Sequence, residues 1–507
     1  MPDSFSFGKL QFDVSPGNAT KGARRDPESP FFMAVLGDFT GRSHREGNDE
    51  GGARRPVLVD CDNFESVMKR LGTALRLPVP RQTDEFLELQ FESMEDFHPD
   101  QLLKKVAPLS ALLRVRERLS HSASAAAAVR EAEQLLDVSR EQPGAAVSSS
   151  GSQGESVQET MARLLGGTLP SAPAAVGKPV SGGFDINALI KGIVAPSVVP
   201  DPTPEQTAAR AAVEAELGAQ LRAILHHPEF QRLETAWRGL DLLVREYGAE
   251  ENLKLHLLDV TKDELVSDLR RQENLPETAL FKSLRDQDWA VLVGLYTFTD
   301  SVEEIEALGR MAKIASGLGA SFVVGASAHF IGCDSLEAHP DPGDWTRVMS
   351  DGSREAWTAL RALPEAAHLG LALPRVLLRQ PYGKGSDPLE SFPFEELPGN
   401  LPHGSFLWSD GAIVCGCLLA EAFRAEGWEM AASGSGELGD LPVYKFSADG
   451  EMSVKPCAEA WLTDRAGEHI LDCGLMPILS IKGRGAVRLA SLQSVAMSSQ
   501  RLFLRTP

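Results

Sequence analysis

Apolar residues recur at helical spacing at the start of the second half of the chain. The stretch "TPEQ" places Thr203 as an N-cap, a proline in the first turn and Gln206 at the third helical position, which is a capping box. The helix that it opens repeats an apolar residue every four positions, at Val213, Leu217, Leu221 and Leu225. A second helix is predicted after Pro228, with one buried stripe formed by Phe230, Leu233, Trp237, Leu240, Val244 and Tyr247.

Continuous apolar runs then alternate with another helical pattern. Runs at 253–260, 289–298 and 320–331 predict strands, and the pattern over 302–318 predicts a helix between the last two. Strands that alternate with helices are typical of an α/β unit whose sheet is mostly buried. We therefore expect an α/β fold with mixed sheets.

The first part of the chain carries similar signals in shorter form. Residues 31–36 are all apolar and end in Gly37-Asp38, the pattern of a buried strand that runs into a turn. Alternating polarity over 86–94 predicts a strand with one wet face. Residues 98–119 predict a helix that begins near Pro99 and is broken or kinked at Pro108.

Composition divides the chain into two parts. Every Trp and Tyr lies after residue 236, and the segments 141–155 and 167–183 are rich in Ser, Gly, Ala and Pro. Such segments bury too little apolar area to offset the entropy of ordering them. We predict a front segment (residues 1–135) and a back segment (residues 186–507), each a domain, joined by a flexible linker at 136–185.

Net charge, apolar runs and cysteine content limit which partners and which location we expect for the protein. A net charge of −21 and a pI near 5.0 argue against a nucleic-acid partner, which needs a clustered cationic surface. The sequence shows neither a membrane-spanning apolar run nor a signal peptide, so we expect no membrane insertion and a cytoplasmic location. The 6 scattered cysteines favour reduced, mostly buried thiols.

The stretch "LPRVLLRQPYGKGSDP" at 373–388 contains four residues that could bind a ligand or act in catalysis: Arg375, Arg379, Tyr382 and Lys384. These side chains suit a phosphate site or an enzyme. Planar guanidinium groups also suit carboxylates such as those of "PFEE" at 393–396, and would then tie the Pro-Tyr-Gly turn to its surroundings. We favour the second interpretation and keep an enzyme as the alternative.

Three further motifs could suggest a cofactor or metal site, but we interpret each of them as structural. "GSGELG" at 434–439 matches a dinucleotide glycine pattern but lacks the strand before it and the helix after it, so we interpret it as a surface loop. His226 and His227 end a helix, where a cationic imidazole is favourable. Cys415 and Cys417 are expected on one face of a buried strand.

Several long patterns in fixed order resemble the two sheath subunits of the bacterial type VI secretion system. "ESPFFMAVLGDFTGR" (28–42), "RRPVLVDCDNFESVMKRL" (54–71) and "FESMEDFHPDQLLKKV" (91–106) resemble the small subunit, called TssB or VipA. "ILHHPEFQRLETAWRGLDLLV" (224–244), "LGLALPRVLLRQPYGKGSDPLESFPFEE" (369–396) and "GLMPIL" (474–479) resemble the large subunit, TssC or VipB. The chain looks like a natural fusion of the two.

This resemblance implies a structural role without catalysis. Sheath subunits of the family pair, assemble around a tube of Hcp, meet a baseplate, and are recycled by the unfoldase ClpV, whose grip would fall on 155–167 here. The candidates for structural or interaction roles lie in the matched motifs: Asp38, Arg42, Trp237, Arg238, Arg375, Arg379 and Tyr382. Large subunits of the family continue past the "GLMPIL" motif, so we expect this one to be shortened. The alternative is therefore a non-polymerising adaptor or a baseplate-associated sheath homologue.

Overall fold

A computed structural model describes residues 5–10, 28–42, 54–79, 86–121, 124–140, 202–399, 402–432, 436–448, 451–497 and 500–504. The strands are β1 (Phe31–Gly37), β2 (Val57–Val59), β3 (Ala74–Pro78), β4 (Phe86–Gln90), β5 (Leu253–Asp259), β6 (Trp289–Phe298), β7 (Ser321–Ala326), β8 (Leu369–Leu373), β9 (Val376–Leu377), β10 (Trp408–Ser409), β11 (Gly436–Leu438), β12 (Tyr444–Ala448), β13 (Glu451–Lys455), β14 (Met476–Ser480) and β15 (Val487–Leu489).

The α-helices are α1 (Phe64–Leu71), α2 (Pro99–Lys105), α3 (Ala107–Leu119), α4 (Ala125–Arg140), α5 (Pro204–Leu225), α6 (Pro228–Tyr247), α7 (Lys262–Arg271), α8 (Ala279–Leu284), α9 (Val302–Leu318), α10 (Asp351–Arg361), α11 (Ala412–Glu426) and α12 (Asp464–Asp472). Short 3-10 turns lie at Met94–Phe97, Leu275–Glu277, Ala328–Ile331, Pro342–Asp344, Pro364–His368, His403–Ser405 and Gly427–Ala432.

The chain divides into two compact units that do not follow its order. The larger unit contains residues 1–80, 84–110 and 217–507, and the smaller contains 81–83 and 111–216. The larger unit therefore takes residues from both the front and the back segment. Within the smaller unit, Arg116 Nε lies 2.7 Å from Glu214 Oε1, an ion pair between residues of α3 and α5.

A nine-stranded mixed sheet forms the centre of the larger unit, in the order β11-β15-β14-β8-β7-β6-β1-β5-β2. The six strands from β14 to β5 in that order run parallel to one another. β15 pairs antiparallel with β14, β11 with β15, and β2 with β5. Separate two-stranded pairs are β3-β4, β9-β10 and β12-β13.

Helices cover both faces of this sheet, because its central strands are apolar on both sides. Ala34 and Leu36 of β1 belong to the core cluster that α9 shares. On the opposite face, Gly416 of α11 lies so close to the sheet that a Cβ there would sit 3.3 Å from Val293 and 3.8 Å from Met33.

Most of the strongly patterned elements are confirmed. The structure has strands at Phe31–Gly37, Leu253–Asp259 and Trp289–Phe298, and the helix Val302–Leu318 has the predicted bounds. The predicted helix over 98–119 is two helices, α2 and α3, which break at Val106 just before Pro108. The capping box is also present, since Thr203 N donates to Gln206 Oε1 at 2.6 Å and Gln206 N to Thr203 Oγ1 at 3.2 Å.

Three local predictions are wrong. Cys415 and Cys417 lie on the buried helix α11, because a continuous apolar run does not distinguish a buried helix from a strand. The run 320–331 leaves strand conformation after Ala326 and continues as a 3-10 turn. Part of the predicted surface loop, Gly436–Leu438, is the edge strand β11.

The predicted linker lies almost wholly outside the described residues. Its first residues, 136–140, continue helix α4 to Arg140, and residues 141–201 are not described. The segment 155–167 falls within that interval. The described part of the chain contains no helix long and apolar enough to cross a bilayer.

Candidate functional site

The front segment is built into the middle of the main sheet. All 7 residues of β1 pair with β5 on one side, from Phe31 opposite Leu253 to Gly37 opposite Asp259. On its other side β1 pairs with β6. Since β5 and β6 are consecutive strands of the back segment, the front segment supplies the strand that joins them. We call the contacts around β1 the junction.

A tight turn follows β1 and aims Arg42 at the back segment. Asp38 Oδ1 accepts hydrogen bonds from the N–H groups of Gly41 at 2.8 Å and Arg42 at 3.2 Å. Gly41 has a φ of 68°, and a Cβ there would lie 2.6 Å from the Ala74 carbonyl oxygen, so the turn requires glycine.

Two arginines of the front segment meet two carboxylates of the back segment. Arg42 donates to Glu264 from Nε at 3.0 Å and from Nη2 at 2.8 Å, and it also pairs with Asp259 at the end of β5. Arg54 adds hydrogen bonds of 3.0 and 3.1 Å to Glu264. Burial alone would raise the pKa of Glu264, but these donors hold that pKa well below its ordinary value.

Trp237 connects helix α6 of the back segment to the junction. Its Nε1–H donates to the Phe39 carbonyl oxygen at 2.9 Å. Its ring packs edge-on against Phe39 and Phe64, with centroid separations of 5.2 and 5.5 Å. A fully buried indole thus has both its apolar surface and its donor satisfied by the front segment.

A buried ion network lies around Arg379. Arg379 Nε is 2.7 Å from Glu234 Oε1, and its Nη1 is 2.7 Å from Glu396 Oε2. Glu234 also binds Arg238 at 2.7 Å, and Arg238 Nη2 donates to the Tyr382 hydroxyl at 3.3 Å. The backbone N–H of Tyr382 donates to Glu396 at 2.8 Å, so the Pro-Tyr-Gly turn is held by the same carboxylate.

The network has matched charges, with two guanidinium groups on two carboxylates. Burial alone would raise the pKa of Glu396, but Arg379 lowers it to about 2. Burial raises the pKa of Tyr382 to about 12. Such a network holds elements together rather than offering a group for proton transfer near neutral pH.

Arg375 and Lys384 do not join this network. Arg375 donates to Glu459 from Nε at 3.1 Å and from Nη2 at 2.5 Å. The side chain of Lys384 is exposed, and its backbone N–H donates to Glu395 at 3.0 Å. The sequence stretch that suggested one site is therefore divided between two.

The histidine and cysteine pairs have local structural roles. His227 caps α6 by accepting a hydrogen bond from the Glu229 N–H at 3.3 Å, so it stands at a helix start rather than at a helix end, and burial lowers its pKa. Burial raises the pKa of Cys415 to about 12 and raises that of Cys417 further. Among the described residues, no group of three His, Cys, Asp or Glu side chains is placed to hold a metal ion.

A cleft of about 450 Å³ opens at the carboxyl ends of β1, β5 and β6. The ends of parallel strands are the usual place for a ligand in such folds. The cations that line it are already engaged, Lys262 by Glu304 at 2.7 Å, Arg375 by Glu459 and Arg232 by Glu229.

Comparison with known proteins places the chain in a family. The model for VipB, described as the EvpB-type tail sheath N-terminal domain, matches residues 207–496, which is more than half of the chain. The chain belongs to the VipB tail sheath family. The model for VipA of the type VI secretion system matches residues 10–144. The predicted resemblance is confirmed, and the chain is a fusion of a VipA-type (TssB-type) and a VipB-type (TssC-type) sheath subunit.

Two relatives from Pseudomonas aeruginosa agree with this division. The type VI secretion system sheath protein TssC1 is 32% identical over 286 residues, covering 54% of this chain and 57% of TssC1. The sheath protein TssB1 is 29% identical over 117 residues, covering 22% of this chain and 65% of TssB1. The fusion thus spans less than two thirds of the length of either relative.

The two segments of this VipA–VipB fusion also meet through residues that sequence reasoning missed. Glu264 could have been located from the capping box "TKDE" at 261–264, which opens α7, but its arginine partners could not. Asp100 accepts hydrogen bonds from the backbone of Glu390 at 3.0 Å and from the Ser391 hydroxyl at 2.5 Å. Nothing in the sequence around Asp100 indicates that it contacts Glu390, which lies 290 residues away.

Proposed function

We propose that this chain is a structural component of a type VI secretion contractile sheath or a sheath-like assembly. Its front and back segments, 1–135 and 186–507, would serve as the two subunit-type domains of one sheath unit. The observation that supports this most is β1, which lies between β5 and β6 and makes the two segments one sheet. The names of the matched families and relatives support the assignment to a sheath.

The proposed partners are further copies of the chain, the Hcp tube and baseplate components, with a ClpV-type unfoldase acting on the assembled form. The unit packs around or caps the tube in the cytoplasm and catalyses no reaction. The seven candidate residues then act in holding the unit together: Asp38, Arg42, Trp237, Arg238, Arg375, Arg379 and Tyr382. Their ion pairs and hydrogen bonds described above support this role.

Covalent fusion suits such a role. A tether raises the effective concentration of one segment for the other to roughly millimolar and fixes equal amounts of both. The proposed sheath unit contains one small-subunit domain and one large-subunit domain, so a fused chain supplies both in that ratio.

Negative-stain electron microscopy of the purified chain, with and without the Hcp protein, tests the proposal. We expect rings, tubes or capped tube ends whose number rises when Hcp is added. Circular dichroism of the same sample establishes that it is folded. Folded monomers that ignore Hcp would contradict packing around the tube.

Pull-downs with baseplate components then separate the polymerising sheath from the adaptor. Binding to baseplate components alone, with no higher assembly, would favour a non-polymerising adaptor.

A further inference from the structure

The first described residues of the front segment, 5–10, pack against the back segment without forming a helix. We call these residues the arm. The arm lies between one face of α9 and residues 269–275, which include the end of α7, and we call this surface the α7–α9 groove. Residues 11–27, between the arm and β1, are outside the described part of the chain.

The back segment binds main-chain groups of the arm. Lys9 N–H donates to the Glu273 carbonyl oxygen at 2.7 Å, and Leu275 N–H donates to the Lys9 carbonyl oxygen at 2.9 Å. These two bonds form a parallel β-bridge. Lys313 Nζ on α9 donates to the Gly8 carbonyl oxygen at 2.8 Å. Main-chain bonds of this kind supply affinity in grooves that bind short peptides.

A buried arginine of α9 joins the arm to the end of α7. Arg310 is only 5% exposed, and its Nη1 donates to the carbonyl oxygens of Leu269 at 2.9 Å and Gln272 at 3.0 Å. Its Nε donates to the Ser6 carbonyl oxygen at 3.1 Å. A buried donor that loses its acceptor is costly, so the arm helps to satisfy this guanidinium group.

Two glycines of α9 make room for apolar side chains of the arm. A Cβ at Gly309 would overlap the ring of Phe7, and a Cβ at Gly317 would lie 2.9 Å from Leu10 Cδ2. Phe7 is buried and belongs to the core cluster that α9 shares. Glycine destabilises a helix relative to alanine. Helix α9 therefore has its least helix-favouring residues where the arm packs.

We propose that the α7–α9 groove is a peptide-recognition site, and that the arm fills it in cis as a tethered ligand. The ligand is a short non-helical peptide with the pattern Phe-Gly-x-Leu, here Phe7 to Leu10. Gly8 has a φ of 66°, and a Cβ there would lie 3.0 Å from Leu275, so glycine is part of the pattern. The arm attaches the front segment to the back segment separately from the junction. This attachment is independent of whether the chain assembles into a sheath.

Binding of a labelled peptide to the full chain tests the proposal. The probe is a fluorescent peptide with the sequence of residues 4–12, and fluorescence anisotropy measures its binding. A tethered arm competes at an effective concentration of roughly 1 mM, so a peptide with a Kd of about 0.1 mM should bind the wild type about tenfold more weakly than it binds a groove left open. Phe7→Ala removes the buried ring of the arm and should open the groove to the peptide.

Gly309→Ala shows whether the groove is the binding site. The added methyl group overlaps the position of the Phe7 ring but favours the helix, so the variant should stay folded. In the Phe7→Ala background it should weaken peptide binding at least tenfold. Gly352→Ala on α10 is the matched control, because a Cβ there would lie 3.5 Å from Val302, an ordinary contact, and it should leave binding unchanged.

Hydrogen exchange of the full chain adds a measurement without the peptide. Gly309→Ala, with the arm otherwise unchanged, should lower the protection of the Lys9 and Leu275 amides at least tenfold. Amides of β6 in the sheet centre should keep their protection. Gly352→Ala should match the wild type at all of these amides.

Three results would each overturn the proposal. They are a peptide that does not bind Phe7→Ala at millimolar concentration, equal binding with and without Gly309→Ala, and wild-type protection of the Lys9 amide in Gly309→Ala. The last remains decisive if Phe7→Ala fails to fold. A wild type that resists the peptide only at high protein concentration would overturn the assignment in cis, because a tethered arm competes equally at every protein concentration.

Discussion

Separating the two segments should prevent the back segment from folding. When residues 186–507 are produced without the front segment, β5 and β6 lose the strand that lies between them. β6 would then present an unpaired apolar edge, and β5, which also pairs with β2 of the front segment, would lose both of its neighbours. Open apolar edges of this kind favour aggregation.

The size of the loss follows from the burial of β1. Four large side chains of this strand have no exposed surface: Phe31, Met33, Val35 and Leu36. Burying each contributes about 1.5–3 kcal/mol, or roughly 6–12 kcal/mol together. Since a whole domain is stable by only about 5–15 kcal/mol, this one strand accounts for a comparable amount.

The assay compares the back segment alone with the back segment coproduced with residues 1–140. Soluble yield, far-ultraviolet circular dichroism and cooperative thermal unfolding are measured for both. We expect cooperative unfolding only when both segments are present. A matched pair of point variants in the intact chain repeats the test: Leu36→Ala should cost about 2–5 kcal/mol in urea unfolding. Leu58→Ala on the edge strand β2, where the side chain is 44% exposed, should cost about 0.5 kcal/mol or less.

Two results would refute this reasoning. One is a back segment that unfolds cooperatively on its own at the midpoint of the intact chain. The other is a Leu36→Ala variant that is no less stable than Leu58→Ala. Either would mean that β1 adds to a sheet already complete without it.

Three further outcomes follow from the buried contacts. Glu234→Ala should lower the free energy of unfolding by about 3–5 kcal/mol, because it leaves Arg379 buried with one carboxylate fewer; chemical denaturation measures this, and a loss below about 1 kcal/mol would contradict it. The pKa of Glu396 is lowered to about 2. The stabilisation that the charged carboxylate contributes is therefore complete above the ordinary glutamate pKa and is lost as the pH falls toward 2. Unfolding free energies measured across that acid range should fall less steeply in Glu396→Gln than in the wild type. Trp237→Phe keeps most of the packing but leaves the Phe39 carbonyl oxygen without its donor, so we expect a loss of about 1–3 kcal/mol in thermal or urea unfolding, and an unchanged stability would show that water replaces the indole.

The pattern of apolar residues predicted helices and strands well where it was regular or where capping and turn residues marked the ends of the element. The helix 302–318 carries its own N-cap serine and a C-terminal glycine with a φ of 65°, and the structure has it with the predicted bounds. The strand at 31–36 is apolar throughout and ends in Gly-Asp. These signals are local, so one sequence contains them completely.

Pairing between distant strands could not be predicted in the same way. A strand buried on both faces has no polar face to set its neighbours, so nothing in 31–37 indicates that it lies between β5 and β6. The same limit explains α11, where an unbroken apolar run left helix and strand equally consistent with the sequence.

The candidate site shows a similar division between near and far partners. Arg379 binds Glu396, which lies 17 residues away, within the acidic motif considered from the sequence. Arg375 binds Glu459, which is 84 residues away, and Arg42 binds Glu264, which is 222 residues away. Ion pairs at those separations are set by the tertiary fold, and one sequence does not record them.

The position of β1 in the sheet also determines when its strand pairings can form during biosynthesis. Ribosomes add about 5–20 residues per second, so roughly 13–50 s pass between completion of Gly37 and completion of β6 at Phe298. This buried strand has neither of its lasting neighbours until β5 is complete at Asp259, and it lacks the second until β6 is complete. Contacts so distant in sequence also slow the search for the native state. The first strand to leave the ribosome is thus among the last to find its place, and a chaperone that shields residues 31–37 during synthesis would raise the yield of folded protein.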